Sequence, residues 1–144
     1  MKCVKKKMNL KVEQTKEERM QNLIKQWLYN KINGKEIVDY CKRKEIQEIA
    51  IYGIGWIGEM LYDDIVNNSS IRVRYIIDKN ADSLYYGIEN MDVLKVDELK
   101  KAPRVDAIFV TPLFCFESVK RELREIINAE TRIISIEDMI YEVE

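Results

Sequence analysis

Hydrophobic residues recur with a helical spacing in the first third of the chain. Between Thr15 and Asn33 they fall three or four positions apart, which predicts an amphipathic helix. The apolar positions are Met20, Leu23, Ile24, Trp27, Leu28 and Ile32. Thr15 and Glu18 have the spacing of a capping box, and Asn33-Gly34 is a typical helix stop. A shorter helix is predicted from Lys35 to Arg43, which gives a helical hairpin.

From Glu48 the pattern changes to short apolar runs that alternate with helices. The predicted strands are Ile49–Tyr52, Ile71–Ile77, Met91–Val96, Val105–Val110 and Arg132–Ile136, the third being the least regular. The predicted helices are Trp56–Asn67, a turn at Asp97–Lys101, one carrying Phe116, Val119, Leu123, Ile126 and Ile127, and Glu137–Glu144.

This alternation predicts an α/β fold. We expect a Rossmann-like parallel sheet of about five strands with helices on both faces, preceded by the helical hairpin. The expected domains are residues 1–45, a basic tail and the hairpin, and residues 46–144, a Rossmann-type nucleotide-binding domain.

A glycine-rich loop lies between the first predicted strand and the helix that follows it. Gly53-Ile54-Gly55-Trp56-Ile57-Gly58 matches G-x-G-x-x-G in the strand-to-helix context that gives this motif meaning. Gly53 would allow a sharp turn, Gly55 the approach of a pyrophosphate, and Gly58 close packing of the helix. The N–H groups around Trp56 and Ile57 would face the anion. The alternative is an ordinary tight turn, but three of the five glycines of the chain lie in these six positions.

Further candidate ligand contacts follow the next strands. Asp78 ends the second strand, where an acid can bind ribose hydroxyls and favour NAD over NADP, although Lys79 weakens that preference. Alternatively, Asp78 opens a turn. Thr111-Pro112 closes the Val105–Val110 strand and would line the same crevice, or would instead begin a helix with Pro at its first position. Cys115, in the same loop, is either exposed near the crevice or a small buried residue.

The charge balance and the numbers of histidine and cysteine argue against several classes of function. The chain has 24 Lys and Arg against 25 Asp and Glu, so its net charge of −1 gives no field that attracts nucleic acid. The basic start, with Lys2, Lys5, Lys6, Lys7 and Lys11, lacks the apolar run of a signal peptide. We therefore expect a cytoplasmic protein with no membrane span and no nucleic-acid partner. With no histidine and three cysteines at unrelated spacings, no metal site is expected.

From about Ile49 onward the chain resembles the NAD(P)-binding domains of bacterial polysaccharide biosynthesis, of the nucleotide-sugar dehydratase and epimerase type. The residues that carry the resemblance are Tyr52–Gly58, Tyr75–Asp78, Gly87–Leu94, Val96–Leu99 and Val110–Pro112. The resemblance implies that Gly53, Gly55 and Gly58 bind a diphosphate and that Asp78 binds the adenosine ribose. A related domain of bacterial sugar acetyltransferases uses the same crevice for a uridine nucleotide-sugar, so NAD, NADP and a UDP-sugar all stay open.

The catalytic residues of the full enzymes have no counterparts here, and we identify no acid–base pair. The leading hypothesis is a nucleotide-binding module of nucleotide-sugar or surface-polysaccharide biosynthesis without a complete active site. One alternative is a minimal or split NAD-dependent epimerase, dehydratase or oxidoreductase. Another is a ligand-sensing regulator or scaffold. A homodimer or a partner enzyme is compatible with each hypothesis.

Overall fold

A five-stranded sheet forms the centre of the protein. The computed structural model describes residues 14–81 and 90–142; the basic start, Cys3, Gly87 and the last two residues therefore lie outside the described part. The strands are β1 (Glu48–Tyr52), β2 (Arg72–Ile77), β3 (Val93–Leu94), β4 (Ala107–Val110) and β5 (Arg132–Ser135). All neighbouring strands are parallel, in the order β3-β2-β1-β4-β5.

Helices surround this sheet. They are α1 (Lys16–Ile32), α2 (Ile37–Arg43), α3 (Trp56–Asn68), α4 (Phe116–Arg124) and α5 (Ile136–Glu142), together with a 3₁₀ helix (Val96–Lys101). The predicted α/β Rossmann-like fold with an N-terminal helical hairpin is confirmed. The strand order reverses beside β1, since β2 and β3 lie on one side of it and β4 and β5 on the other. In such a sheet, ligands bind outside the carboxyl ends of the strands at this reversal.

Alternating residues of the central strand pack into two separate cores. Ile49 and Ile51 lie in the first core, and Ala50 and Tyr52 lie in the second, because successive side chains of a strand point to opposite faces. The first core is covered by α1, α2, α3 and α5, and the second by α4 and the 3₁₀ helix. Both faces of β1 are therefore shielded from solvent, which explains why its sequence is almost continuously apolar.

The N-terminal hairpin contributes to the first core. Leu23 and Trp27 of α1, and Tyr40 and Cys41 of α2, are buried there with the strand residue Ile49. The helix caps agree with the sequence pattern, since the Thr15 hydroxyl accepts a hydrogen bond from the Glu18 N–H. The division into residues 1–45 and 46–144 stays a prediction.

Several predicted boundaries are wrong by a few residues. Helix α2 begins at Ile37 rather than Lys35, because Glu36 and Asp39 cap its start. The stretch Met91–Val96 yields only the two-residue β3, and β4 begins at Ala107 rather than Val105. Helix α4 ends at Arg124, so Ile126 and Ile127 pack on the second core from beyond its end.

Some residues predicted to face the core are exposed. Leu28 and Ile32 of α1 are 59% and 74% exposed. On α1, the polar residues Gln26 and Asn30 are buried instead, where they bond to each other and to the Ile140 carbonyl. Spacing alone could not indicate this, because a buried polar group is tolerated only where a partner from elsewhere in the fold satisfies it.

Candidate functional site

The chain turns sharply at Gly53, immediately after β1. Its φ of +92° lies in the region that favours glycine. The Gly53 N–H donates to the Ile77 carbonyl at 2.8 Å, which ties the turn to the end of β2. A Cβ atom at Gly53 would lie 2.6 Å from the Thr111 hydroxyl oxygen and 3.0 Å from Cδ of Pro112. Both the backbone conformation and the close packing therefore require glycine here.

Gly58 allows helix α3 to lie directly on this turn. A Cβ atom at Gly58 would be 2.0 Å from the carbonyl oxygen of Gly53, far inside van der Waals contact. Since that neighbour is backbone, it cannot be moved by changing a rotamer. Gly58 thus fixes the start of α3 against the end of β1.

Gly55 has a different environment. It is the N-cap of α3 and is exposed, and a Cβ atom there would meet nothing within 4 Å. The fold itself therefore places no steric demand on Gly55. The space above it is open, as an approaching ligand would need.

Three backbone donors lie beside that space. In the residues that the structure describes, the N–H groups of Trp56, Ile57 and Gly58 have no acceptor, whereas the Glu59 N–H bonds to the Gly55 carbonyl. The first N–H groups of a helix carry the positive end of its dipole and bind anions. Ile57 is buried and offers only its backbone, whereas the Trp56 side chain is 50% exposed at the edge of the loop.

Asp78 follows β2 and holds the glycine loop in place. One carboxylate oxygen accepts from the Ile54 N–H at 3.0 Å, and the other accepts from the Asn80 N–H at 2.8 Å. The second bond is the turn interaction that the sequence allowed as an alternative. Each oxygen keeps a second lone pair. Ribose binding by Asp78 stays a prediction, as does any ligand contact of the exposed Lys79.

Thr111 lies beneath the glycine turn. It is buried, and its hydroxyl oxygen lies 3.0 Å from the carbonyl oxygens of both Tyr52 and Gly53, between which its single proton is shared. The prediction that Thr111-Pro112 begins a helix is wrong, because α4 starts at Phe116 with Cys115 as its N-cap. Pro112 packs beside Gly53 instead. A contact between the ligand and Thr111 or Pro112 stays a prediction.

A cleft of about 560 Å³ adjoins the glycine loop at the carboxyl ends of β4 and β5. Pro112, Phe114, Cys115 and Arg121 are among the residues that line it, and Arg19 reaches it from α1. Cys115 is an exposed free thiol, so its interpretation as a small buried residue is wrong. No sequence motif indicated Arg121 and Arg19, and only their positions after β4 and in the hairpin relate them to this edge of the sheet.

Tyr52, the last residue of β1, is the strongly shifted titratable group nearest the loop. Its side chain is buried in the second core, and its hydroxyl has no hydrogen-bond partner in residues 14–81 and 90–142. Burial raises the pKa of Tyr52 to about 12. The phenol is therefore neutral at physiological pH.

Within residues 14–81 and 90–142, no group of three or more His, Cys, Asp or Glu side chains is arranged to hold a metal ion. None of the helices in the described ranges is both long and apolar enough to cross a membrane.

A protein-family model matches most of this architecture. The model for the C2185-like, N-terminal family covers residues 45–134, from just before β1 into β5. The chain belongs to this C2185-like family. The family match includes the whole glycine loop, Asp78, Thr111 and the residues of α4.

Among solved structures, the chain is similar to one described as the crystal structure of RSP in complex with β-NAD⁺ and operator DNA. The identity is 15% and the TM-score 0.45, over 68% of this chain and 55% of that one, so this chain spans about half of the RSP chain. A likeness of this degree carries no argument about ligands. No curated protein sequence matches the C2185-like chain.

Proposed function

We propose that this chain is a nucleotide-binding module that holds a diphosphate on the loop from Gly53 to Gly58. The open space above Gly55, beside three backbone N–H groups without acceptors in the described chain, is the observation that carries the proposal. The fold uses Gly53 and Gly58 for its own packing, but it makes no such use of Gly55. Gly55 is the N-cap of α3, a position at which Ser, Thr, Asn and Asp are equally suitable, and the absence of a side chain there supports the close approach of a ligand to the backbone.

The position of the loop in the sheet supports the same proposal. Gly53 follows β1 and Thr111 follows β4, and the strand order reverses between these two strands. The loop therefore lies in the crevice where open α/β sheets bind their ligands. The three donors also lie at the start of the 13-residue α3, whose dipole favours a negative charge by about 0.3–1 kcal/mol.

NAD and a nucleotide-sugar are the two ligand classes that we propose, since both carry a diphosphate. The carboxylate of Asp78 supports NAD over NADP, because it would repel a 2′-phosphate at the ribose. The resemblance to domains of polysaccharide biosynthesis supports a role beside enzymes that make or transfer sugars. Absence of nucleic-acid binding stays a prediction that rests on the balanced charge of the chain.

Titration calorimetry of the purified chain with NAD, NADP, coenzyme A, UDP-glucose and UDP-N-acetylglucosamine tests this proposal. We expect NAD or a UDP-sugar to bind, and Gly55→Leu to weaken that binding at least about tenfold, a loss of 1.4 kcal/mol. Asn67→Leu is the matched control, since it adds the same side chain to an exposed position near the other end of α3. Failure of every compound to bind, or equal affinity in both variants and the parent chain, would overturn the proposal.

A further inference from the structure

A second cavity lies at the amino ends of β4 and β5, at the opposite edge of the sheet from the glycine loop. Val105 comes shortly before β4 and Thr131 directly before β5, and both line it. Its volume of about 320 Å³ is at the lower end of the roughly 300–1,000 Å³ of small-molecule sites. We call it the amino-end pocket, and its lining includes Tyr75, Leu99, Lys100, Arg104, Val105 and Ile127.

The walls of the amino-end pocket are largely apolar. Leu99 of the 3₁₀ helix and Val105 are buried members of the second core. Ile126 and Ile127, beyond the end of α4, pack on that core but stay partly exposed. The pocket therefore reaches from the surface to the side chains of the core, and a ligand that fills it needs an apolar body.

Tyr75 of β2 is the lining residue that comes from the sheet. Its side chain is only 2% exposed, yet its hydroxyl has no hydrogen bond to any described residue. Burial raises the pKa of Tyr75, so the hydroxyl keeps its proton at physiological pH and can donate it. Buried polar groups in native proteins nearly always have a partner. An acceptor on a ligand in the pocket would supply the partner that Tyr75 lacks.

The charged groups of the amino-end pocket are cationic. Lys100 and Arg104 line it and are exposed, and of the described lining residues none is acidic. Arg104 pairs with Glu130, which lies outside the lining, whereas Lys100 forms no ion pair within the described ranges. One unpaired cation beside apolar walls favours an organic monoanion over a strongly hydrated multivalent anion such as phosphate.

We propose that the amino-end pocket binds a small monocarboxylic acid with an apolar body. The carboxylate accepts from Lys100 at the rim and from the Tyr75 hydroxyl, while the apolar body covers Leu99 and the two isoleucines. This site shares no lining residue with the loop from Gly53 to Gly58. The proposal therefore goes beyond the diphosphate site and does not depend on it.

The experiment is an NMR titration of the full ¹⁵N-labelled chain with phenylacetate and with hexanoate. Phenylacetamide and hexanamide are the neutral counterparts, and inorganic phosphate is the anion without an apolar body. We expect saturable shifts of backbone amides in residues 99–105 and 126–131 with at least one acid. The corresponding amide should bind at least about tenfold more weakly, because it lacks the charge that Lys100 recognises. Phosphate should give no saturable shift.

Three variants test the contacts. Lys100→Gln should weaken binding of the acid about three- to tenfold and bring it close to that of the amide. Tyr75→Phe, which keeps the ring and removes only the hydroxyl, should weaken it about threefold or more. Lys101→Gln is the matched control, because it removes the same charge at the neighbouring exposed position outside the lining, and it should leave the affinity unchanged.

The contrary results are equally specific. Shifts that do not saturate with either acid, equal affinities for acid and amide, or unchanged affinity in both Lys100→Gln and Tyr75→Phe would overturn the proposal. Phosphate that binds as tightly as the acids would also overturn it, since the apolar walls would then contribute nothing. Nucleotide binding at the glycine loop, measured separately by calorimetry, is unaffected by any of these results.

Discussion

At the scale of single residues, the three glycines of the loop have separate physical roles. Side chains at Gly53 and Gly58 are excluded by neighbouring atoms: an added Cβ would lie 2.6 Å from the Thr111 hydroxyl oxygen at Gly53, and 2.0 Å from the Gly53 carbonyl oxygen at Gly58. Gly55 has no such contact. Gly53 and Gly58 are therefore needed to build the turn, whereas Gly55 leaves the backbone at the start of α3 accessible from solvent.

This division predicts that the same substitution destabilises the protein to very different extents at Gly58 and at Gly55. Gly58→Ala should lower the free energy of unfolding by about 3 kcal/mol, because the added methyl group meets rigid backbone. Gly55→Ala should change it by less than about 1 kcal/mol, since its φ of −67° suits alanine and only the N-cap preference is lost. Urea denaturation of both variants measures the difference, and equal losses of stability would contradict the assigned roles.

The residues of this loop could be predicted from the sequence, but their long-range partners could not. The G-x-G-x-x-G spacing indicated the turn, and the local bond from the Asn80 N–H to Asp78 is the turn that the sequence allowed. The bond from the Ile54 N–H to Asp78 and the position of the Thr111 hydroxyl under Gly53 instead join residues 24 or more positions apart. Such contacts depend on the strand order, which the pattern of a single sequence does not indicate.

At the scale of elements, a cluster around Asp64 joins α1 to α3. The Asp64 carboxylate accepts hydrogen bonds from Trp27 Nε1 at 2.8 Å, Lys31 Nζ at 2.7 Å and Asn68 Nδ2 at 2.8 Å. Burial alone would raise the pKa of Asp64, but the bonds from Lys31, Trp27 and Asn68 outweigh it and lower the pKa. The cluster is thus strongest when Asp64 is ionised.

The lowered pKa makes this junction sensitive to acid. Because the folded-state pKa lies below the ordinary value of 3.8, the stabilisation is complete above that pH and is lost as the pH falls through the folded-state pKa. Asp64→Asn should cost about 1.5–3 kcal/mol at pH 7 and much less near pH 2. Denaturant unfolding at both pH values checks this, with the exposed neighbour Asp63→Asn as control. A cost independent of pH would contradict the prediction.

Element boundaries were less predictable where the sequence is weakly patterned. Strand β1 was clear because both of its faces are buried, so its apolar run is almost continuous. Strand β3 is a two-residue edge strand with half-buried side chains. Two residues are too few to give a recognisable apolar run or an alternating pattern. The polar cluster at Asp64 was missed because Trp27 and Lys31 have separate local explanations, as a core residue and as a charge in the last turn of a helix.

At the scale of the whole molecule, the sheet order brings the proposed site together. Residues following β1, β2 and β4 meet at one edge, so the glycine loop, Asp78 and Thr111 become neighbours through direct hydrogen bonds. Helix α1 extends this edge, since Arg19 pairs with Glu137 of α5 beside the cleft. The hairpin therefore contributes both to the core and to the wall of the candidate site.

NMR spectroscopy of the backbone amides tests most directly whether the loop from Gly53 to Gly58 binds a diphosphate. The ¹H–¹⁵N spectrum of the labelled chain would be recorded during titration with ADP and with UDP, which share only the ribose and the diphosphate. The account predicts saturable shifts of the Trp56, Ile57 and Gly58 amides with at least one of them, reduced in Gly55→Leu. Saturable binding that leaves these three amides unchanged would contradict it.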